Sequence, residues 1–214
     1  MQSKLEVIDC VQGSQEWLDH RKGLITASDF AKIVNSKGFL SNSTSMINLI
    51  YNVASGYFLT SAIPSLSSSD MNRGNELEPF AREAYEQTTL QEVKEIGMFK
   101  FGCLGYSPDG LINDDGLIEI KCPKHNTHSK YLYSQSLPSE YKAQVLGGLA
   151  ITDRKYCDFI SYHPDFPDNL KMMIIRVERD EEYIQNLLTS LEEFNQKVLN
   201  VVKKLKDIKN ESSF

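Results

Sequence analysis

The chain has 214 residues, 41% apolar and 24% charged, with a formal charge of −6. That length and balance fit one α/β or α+β domain, residues 1–214, with room for a core and a cleft. No apolar run approaches a bilayer crossing and the opening "MQSKLEVIDC" is too polar for a signal peptide, so a cytoplasmic protein with no membrane partner is expected. Four scattered cysteines without a CxxC pair favour reduced, mostly buried thiols over a disulfide framework or a closed zinc or iron–sulfur site. The acidic total argues against a general nucleic-acid binder. From Lys121 to Lys155, however, six basic residues meet two acidic ones. Such a face can meet phosphates, or it can simply be solvated.

The N-terminal third reads as helices. "GSQEWLDHRKG" opens on Ser14 as N-cap with Trp17 at the third helical position, and a second helix carries Phe30, Ile33 and Val34. "MINLIYNVASGYF" is helical again, and the Ser-rich 60–70 stretch reads as a connection. In "NRGNELEPFAREAYEQTT" a helical stripe of Leu77, Phe80, Ala81, Ala84 and Tyr85 collides with Pro79. Either the helix starts at Pro79, or proline bends an earlier turn at Glu78. Residues 92–122 read as strands with a hairpin turn at 113–116, "NDDG". After a loop come a helix at 139–151, strands at 156–162 and 170–178, and one long amphipathic helix. Its stripe runs through Tyr183, Leu187, Leu191, Phe194, Val198, Val202 and Leu205. The expected architecture is a mixed central β-sheet flanked by helices.

The chemistry concentrates in "SPDGLINDDGLIEIKCP", 107–123. Glu119 and Lys121 share one face of their strand while Ile118 and Ile120 point into the core. The hairpin lets Asp109 on the other arm converge on Glu119. Two carboxylates with waters and a phosphate oxygen suit Mg²⁺, with Mn²⁺ as substitute. Lys121 can then orient or deprotonate a water and offset charge on phosphate. On residue types alone, the pair reads at least as well as an exposed ion pair of little consequence.

Four ordered motifs tip that balance. "EWLDHRKGLITASDF" (16–30), "RGNELEPFAREAYE" (73–86), "SPDGLINDDGLIEIKCP" (107–123) and "YKAQVLGGLAIT" (141–152) together resemble the lambda-exonuclease-type (viral recombinase) family of PD-(D/E)xK nucleases. The resemblance implies a restriction-endonuclease-like core and a Mg²⁺-dependent 5′-to-3′ exonuclease on linear duplex DNA, leaving 3′ tails for recombination. It implies that Asp109, Glu119 and the Ile120 carbonyl hold the metal, with Glu78 beside them. Lys121 activates the water and Gln144 holds it or the scissile phosphate. Arg21, Ser28 and Ser107 form a 5′-phosphate pocket, and Met71 wedges the terminal base pairs apart. A homotrimeric ring around DNA and a phage single-strand annealing protein as partner follow from the same resemblance, as does a host-cell cytoplasm. The family's second pocket arginine is missing: the matching position is about Thr127, leaving Lys124, His125 or Lys130 to supply the charge.

Other residues receive plainer readings. Cys122, His125 and His128 form a C-x2-H-x2-H string that lacks a fourth ligand, so phosphate contact or solvation is expected instead of zinc. Trp17, the single tryptophan, reads as core or a helix–helix contact, not as a base-stacking platform. The alternatives to an exonuclease are an end-independent endonuclease of the same superfamily and an inactive module that binds DNA ends.

Overall fold

A computed structural model describes residues 4–62 and 69–211, with side chains at 4–62 and 72–208. Strand β1 (Leu5–Ile8) leads to helix α1 (Gln15–Arg21), strand β2 (Ile25–Thr26) and helices α2 (Phe30–Ile33), α3 (Thr44–Ser55) and α4 (Ser69–Thr89). Strands β3 (Val93–Lys94), β4 (Met98–Phe101), β5 (Leu104–Tyr106), β6 (Gly110–Ile112) and β7 (Gly116–Lys121) follow. Helices α5 (His125–Ser134) and α6 (Lys142–Thr152), strands β8 (Tyr156–Tyr162) and β9 (Met172–Glu178), and helix α7 (Glu181–Glu211) complete the chain.

The fold is mixed α/β, as expected, but its strands divide between two sheets. One runs β1-β4-β5-β2 and the other β3-β6-β7-β8-β9. Both are mixed, with β2 parallel to β5 and β7 parallel to β8. Strands β7 and β8 are therefore covered on both faces and carry near-continuous apolar runs. On one side Ile118, Ile120 and Ile160 cluster with Ala81 and Tyr85 of α4. On the other, Leu117 and Phe159 join the main core with Leu146 of α6 and Leu187 and Phe194 of α7.

Three local expectations are corrected. The N-terminal third is not purely helical, because β1 zips onto β4 and two residues of β2 pair with β5. The stretch after β7 is helix α5, not a loop. Finally, a helix start at Pro79 is corrected and the other reading, proline after an earlier turn, is kept: α4 begins at Ser69 and runs through Pro79, which sits in its interior. Proline lacks the N–H that would meet the Asn75 carbonyl. Tyr85 nonetheless fastens this helix to the sheet, donating to Asp158 Oδ2 at 2.7 Å while Arg176 holds the same buried carboxylate with two 2.8 Å bonds. The α7 stripe is buried through Val202, whereas Leu205 is 43% exposed.

Helix α6 comes unusually close to its neighbours because its middle is Gly147–Gly148. A Cβ at Gly147 would stand 2.4 Å from the Phe30 ring, and one at Gly148 would stand 2.5 Å from the Tyr106 ring. Both rings are fully buried and cannot swing away. The approach presses α6, and with it Gln144, onto the sheet. Gly148→Ala is expected to destabilise the fold by about 1–3 kcal/mol, the usual cost of overpacking, read as a shift in the urea midpoint.

Candidate active site

The register of the β6–β7 hairpin builds the centre of the site. Gly110 lies opposite Ile118 and Ile112 opposite Gly116, which brings Asp109, one step earlier, opposite Glu119. The Asp109 N–H donates to the Ile118 carbonyl at 3.2 Å, and Asp109 Oδ2 accepts from the Ile120 N–H at 2.6 Å. Asp109 is thus fixed by main chain on both sides. Gln12 steadies the approach, donating from Nε2 to the Pro108 carbonyl at 2.8 Å.

Glu119 is 1% exposed, which rules out the exposed ion pair. Its Oε1 accepts from both Lys121 Nζ and Gln144 Nε2 at 2.5 Å. Its Oε2 is buried with no hydrogen-bond partner, a condition shared among the described residues only by Tyr106 Oη. Leaving a carboxylate oxygen both dry and unpaired is costly, so this atom calls for a ligand. From α4, Arg82 donates to Glu78 Oε1 at 2.6 Å and to the Asp109 carbonyl at 3.2 Å. That arginine therefore locks Glu78 beside the hairpin.

Burial and mutual repulsion govern the charges here. Burial, reinforced by Asp109, pushes Glu78 up to about 7. Burial likewise raises Glu119 to about 7 against the pull of the Lys121 ammonium, and Asp109 is raised by the same cause. Lys121 goes the other way: although burial opposes its charge, Glu119 and Asp109 hold it protonated well above the usual lysine value. The Tyr141 ring, 5.2 Å from Nζ, adds a π face. Acids that stay this reluctant to ionise, even beside Lys121 and Arg82, are short of positive charge.

The donor set fits a hard divalent cation. It offers carboxylate oxygens from Asp109 and Glu119 in one cleft, an orphaned oxygen among them, with Ile120 and Glu78 alongside. Among the described residues no three His, Cys, Asp or Glu side chains gather as a ready metal cage. Two carboxylates leave the remaining positions to water and substrate, as suits Mg²⁺.

A second cluster lies in the same cleft. Ser14 caps α1 by accepting from the Trp17 N–H at 3.2 Å. The Trp17 indole N–H donates to Ser107 Oγ at 2.9 Å, and the Arg21 guanidinium stacks 4.1 Å from the indole ring. Ser28 and Thr26 share a hydroxyl contact at 3.2 Å, with Arg21 donating to Thr26 Oγ1 at 3.4 Å. A half-buried guanidinium in the same cleft as the Ser28 and Ser107 hydroxyls offers a planar donor fork for an anion.

One cleft of about 650 Å³ is lined by Asp109, Glu119, Ile120, Lys121, Glu78, Gln144, Arg21, Ser28 and Ser107 alike. Of the residues singled out in the sequence, Met71 falls within α4 but its side chain lies outside the described residues. Lys124 and Thr127 also line the cleft, whereas His125 and Lys130 do not. The histidine string is dismantled. His128 is fully buried, with Nδ1 on Ser161 Oγ at 2.8 Å and Nε2 on the Leu170 carbonyl at 2.9 Å, so neither zinc, phosphate nor solvent reaches it. Trp17 is not core but cleft wall. Tyr141 and Arg73 line the cleft without having been singled out. Arg73 could have been found from the Arg-Gly pair that opens its motif.

Comparison with known proteins follows the same lines. The sequence profile of the YqaJ-like viral recombinase domain matches residues 16–155. An alkaline exonuclease from Laribacter hongkongensis, LHK-Exo, superposes with a TM-score of 0.86 at 31% identity, covering 94% of this chain and all of the other. Its complex with dAMP superposes with a TM-score of 0.85 at the same identity and coverage. A phage-related exonuclease from Haemophilus somnus 129PT shares the fold, with a TM-score of 0.71 at 13% identity over 85% of this chain and 96% of its own. No curated protein sequence matches the chain.

The raised carboxyls carry a consequence for stability. An acid with a higher pKa folded than unfolded binds protons better in the native state, so its contribution is complete below the ordinary carboxylate range. It is lost as pH rises through the folded value. In chelator, the protein is therefore expected to lose stability as pH rises from 4.5 through about 7, from Glu78 and Glu119. Urea titrations across that range, with Glu78→Gln flattening the slope, check it.

Proposed function

The chain belongs to the YqaJ-like viral recombinase family, and from that premise we propose a Mg²⁺-dependent exonuclease that digests one strand of linear duplex DNA from its 5′ end. The product is a duplex with a 3′ single-stranded tail, suited to recombination. The observation that carries this reading is the opposition of Asp109 and Glu119 across one hairpin, with Lys121 and the unpaired Glu119 oxygen between the same cleft walls. The end-to-end likeness to an alkaline exonuclease supports the reaction class.

Asp109 and Glu119, with the Ile120 carbonyl, are the residues to hold Mg²⁺ or Mn²⁺, with Glu78 beside them. When bound, the metal supplies a Lewis acid for the phosphate and lowers the pKa of water. Lys121 is held charged by Glu119 and Asp109, so its part is to donate: it orients the attacking water and offsets charge growing on the phosphate oxygens. Gln144 keeps the Glu119 carboxylate in one orientation through Oε1, leaving Oε2 to face its ligand. Arg21, Ser28 and Ser107 take the 5′-phosphate, with the Trp17 indole fixing both Arg21 and Ser107. An anchored terminal phosphate sets which phosphodiester meets Lys121, the positioning that in-line displacement needs. By the family resemblance the active form is a trimeric ring that works with a single-strand annealing protein.

The test is digestion of linear and covalently closed duplexes in Mg²⁺. Linear DNA should be degraded and the closed circle left intact. Asp109→Asn and Lys121→Ala should each slow digestion by about 10²–10⁴-fold, the range for loss of a group acting on the transferred proton or charge. Rapid cutting of the circle points instead to an endonuclease, and tight end binding with no turnover points to an inactive module.

A further inference from the structure

Position 127, where the family resemblance calls for a second phosphate-binding arginine, is a threonine, and that threonine lines the cleft. Besides Arg21, the cleft is lined by one further arginine, Arg73, which enters from α4. Arg73 Nη1 donates to the Cys122 carbonyl at 2.6 Å and to the Pro123 carbonyl at 2.9 Å. These bonds pin the plane of the guanidinium against the turn that follows Lys121. A guanidinium carries five N–H donors in a fixed fork. Among the described residues no acceptor meets Nε or Nη2 of Arg73, so on that surface the second side of the fork can take an anion.

The residue beside it supplies an independent observation. Gly74 lies inside α4, where glycine costs about 1 kcal/mol relative to alanine. Its backbone is not left-handed, and a Cβ built there would meet nothing within 4 Å. Among the described residues no packing asks for glycine. The other helical glycines, Gly147 and Gly148, face rings within 2.5 Å; Gly74 faces the open cleft. A bare helix backbone at that point admits a sugar-phosphate chain at contact distance.

We infer that Arg73 and Gly74 form a phosphate seat on α4, in which Arg73 supplies the second guanidinium of the 5′-phosphate pocket and Gly74 makes room for the strand. This rests on the exonuclease reading above. A terminal phosphate monoester carries close to two negative charges, and a pair of planar forks from different elements matches it better than one. Lys124, on the same wall, adds a point charge without the fork. Thr127 stands on α5, whereas Arg73 stands on α4, the helix that carries Glu78, so binding the DNA end also bears on the wall that holds the acids.

The experiment compares 5′-phosphorylated and 5′-hydroxyl linear duplexes, by anisotropy in chelator and by digestion rate in Mg²⁺. The proteins are wild type, Arg73→Gln, Arg73→Gln combined with Thr127→Arg, and Gly74→Ala. Wild type should favour the phosphorylated end, and Arg73→Gln should cut that preference at least tenfold. Restoring an arginine through Thr127→Arg should recover most of it. Gly74→Ala should hold or raise the thermal midpoint while weakening DNA binding at least fivefold. If Arg73→Gln lowers both ends equally, with the ratio kept, the arginine only ties the Cys122–Pro123 turn and the inference falls. It falls too if wild type digests both ends without preference, although the exonuclease reading then stands. If wild type neither binds nor digests either duplex, both readings fall together.

Discussion

The structure turns on one buried carboxylate. Glu119 stands on a strand covered on both faces, where an ionised acid loses the hydration that ordinarily supports it. Lys121 and Gln144 repay part of that loss at a single oxygen, and the second oxygen is left with nothing. Each neighbouring element is arranged around this deficit. Strand β6 delivers Asp109 opposite it, α6 is pressed inward by two glycines so that Gln144 can reach it, and α4 brings Glu78 under the control of Arg82. The cost is not a defect of packing: in the proposed reaction it is the driving force that draws a divalent cation into the cleft.

The two halves of the cleft solve opposite electrostatic problems. Around Glu119 negative groups crowd together and resist ionisation, a condition that the proposed cation would relieve. Around Arg21 burial disfavours a guanidinium that the Thr26 hydroxyl and an indole face hold in place, a condition that the proposed phosphate would relieve. A nucleic-acid end needs both, an anchored phosphate and a neutralised one further along. The overall charge of −6 is therefore no guide to the partner, because the field that matters is local.

Much of this was legible in the sequence because it depends on short-range rules. The "NDDG" turn fixes the hairpin register, the register pairs Asp109 with Glu119, and the stripe through Tyr183, Leu187, Leu191 and Phe194 marks a long helix. What stayed hidden depends on tertiary contact. Helix α5 has little apolar periodicity, and His128 is buried in it through two hydrogen bonds, not through any pattern of neighbours. The start of α4 was masked by a proline that the helix absorbs, since Tyr85 and the β7 isoleucines hold it from the far end. Strands β1 and β2 are too short to announce themselves, and they form only because β4 and β5 offer them an edge. Trp17 looked like core because nothing in a sequence tells which way an indole faces.

That last residue has an optical meaning. Trp17 is the only tryptophan in the chain, and its indole touches Arg21 with its face and Ser107 with its N–H. Indole emission responds to nearby charge and to hydrogen bonding at the ring nitrogen, and both of those neighbours belong to the anion-holding wall. The protein thus carries its own fluorophore at the spot where the proposed reaction would seat a DNA end. Occupancy of that wall can be watched in unlabelled protein, separately from hydrolysis, through the colour and brightness of a single ring.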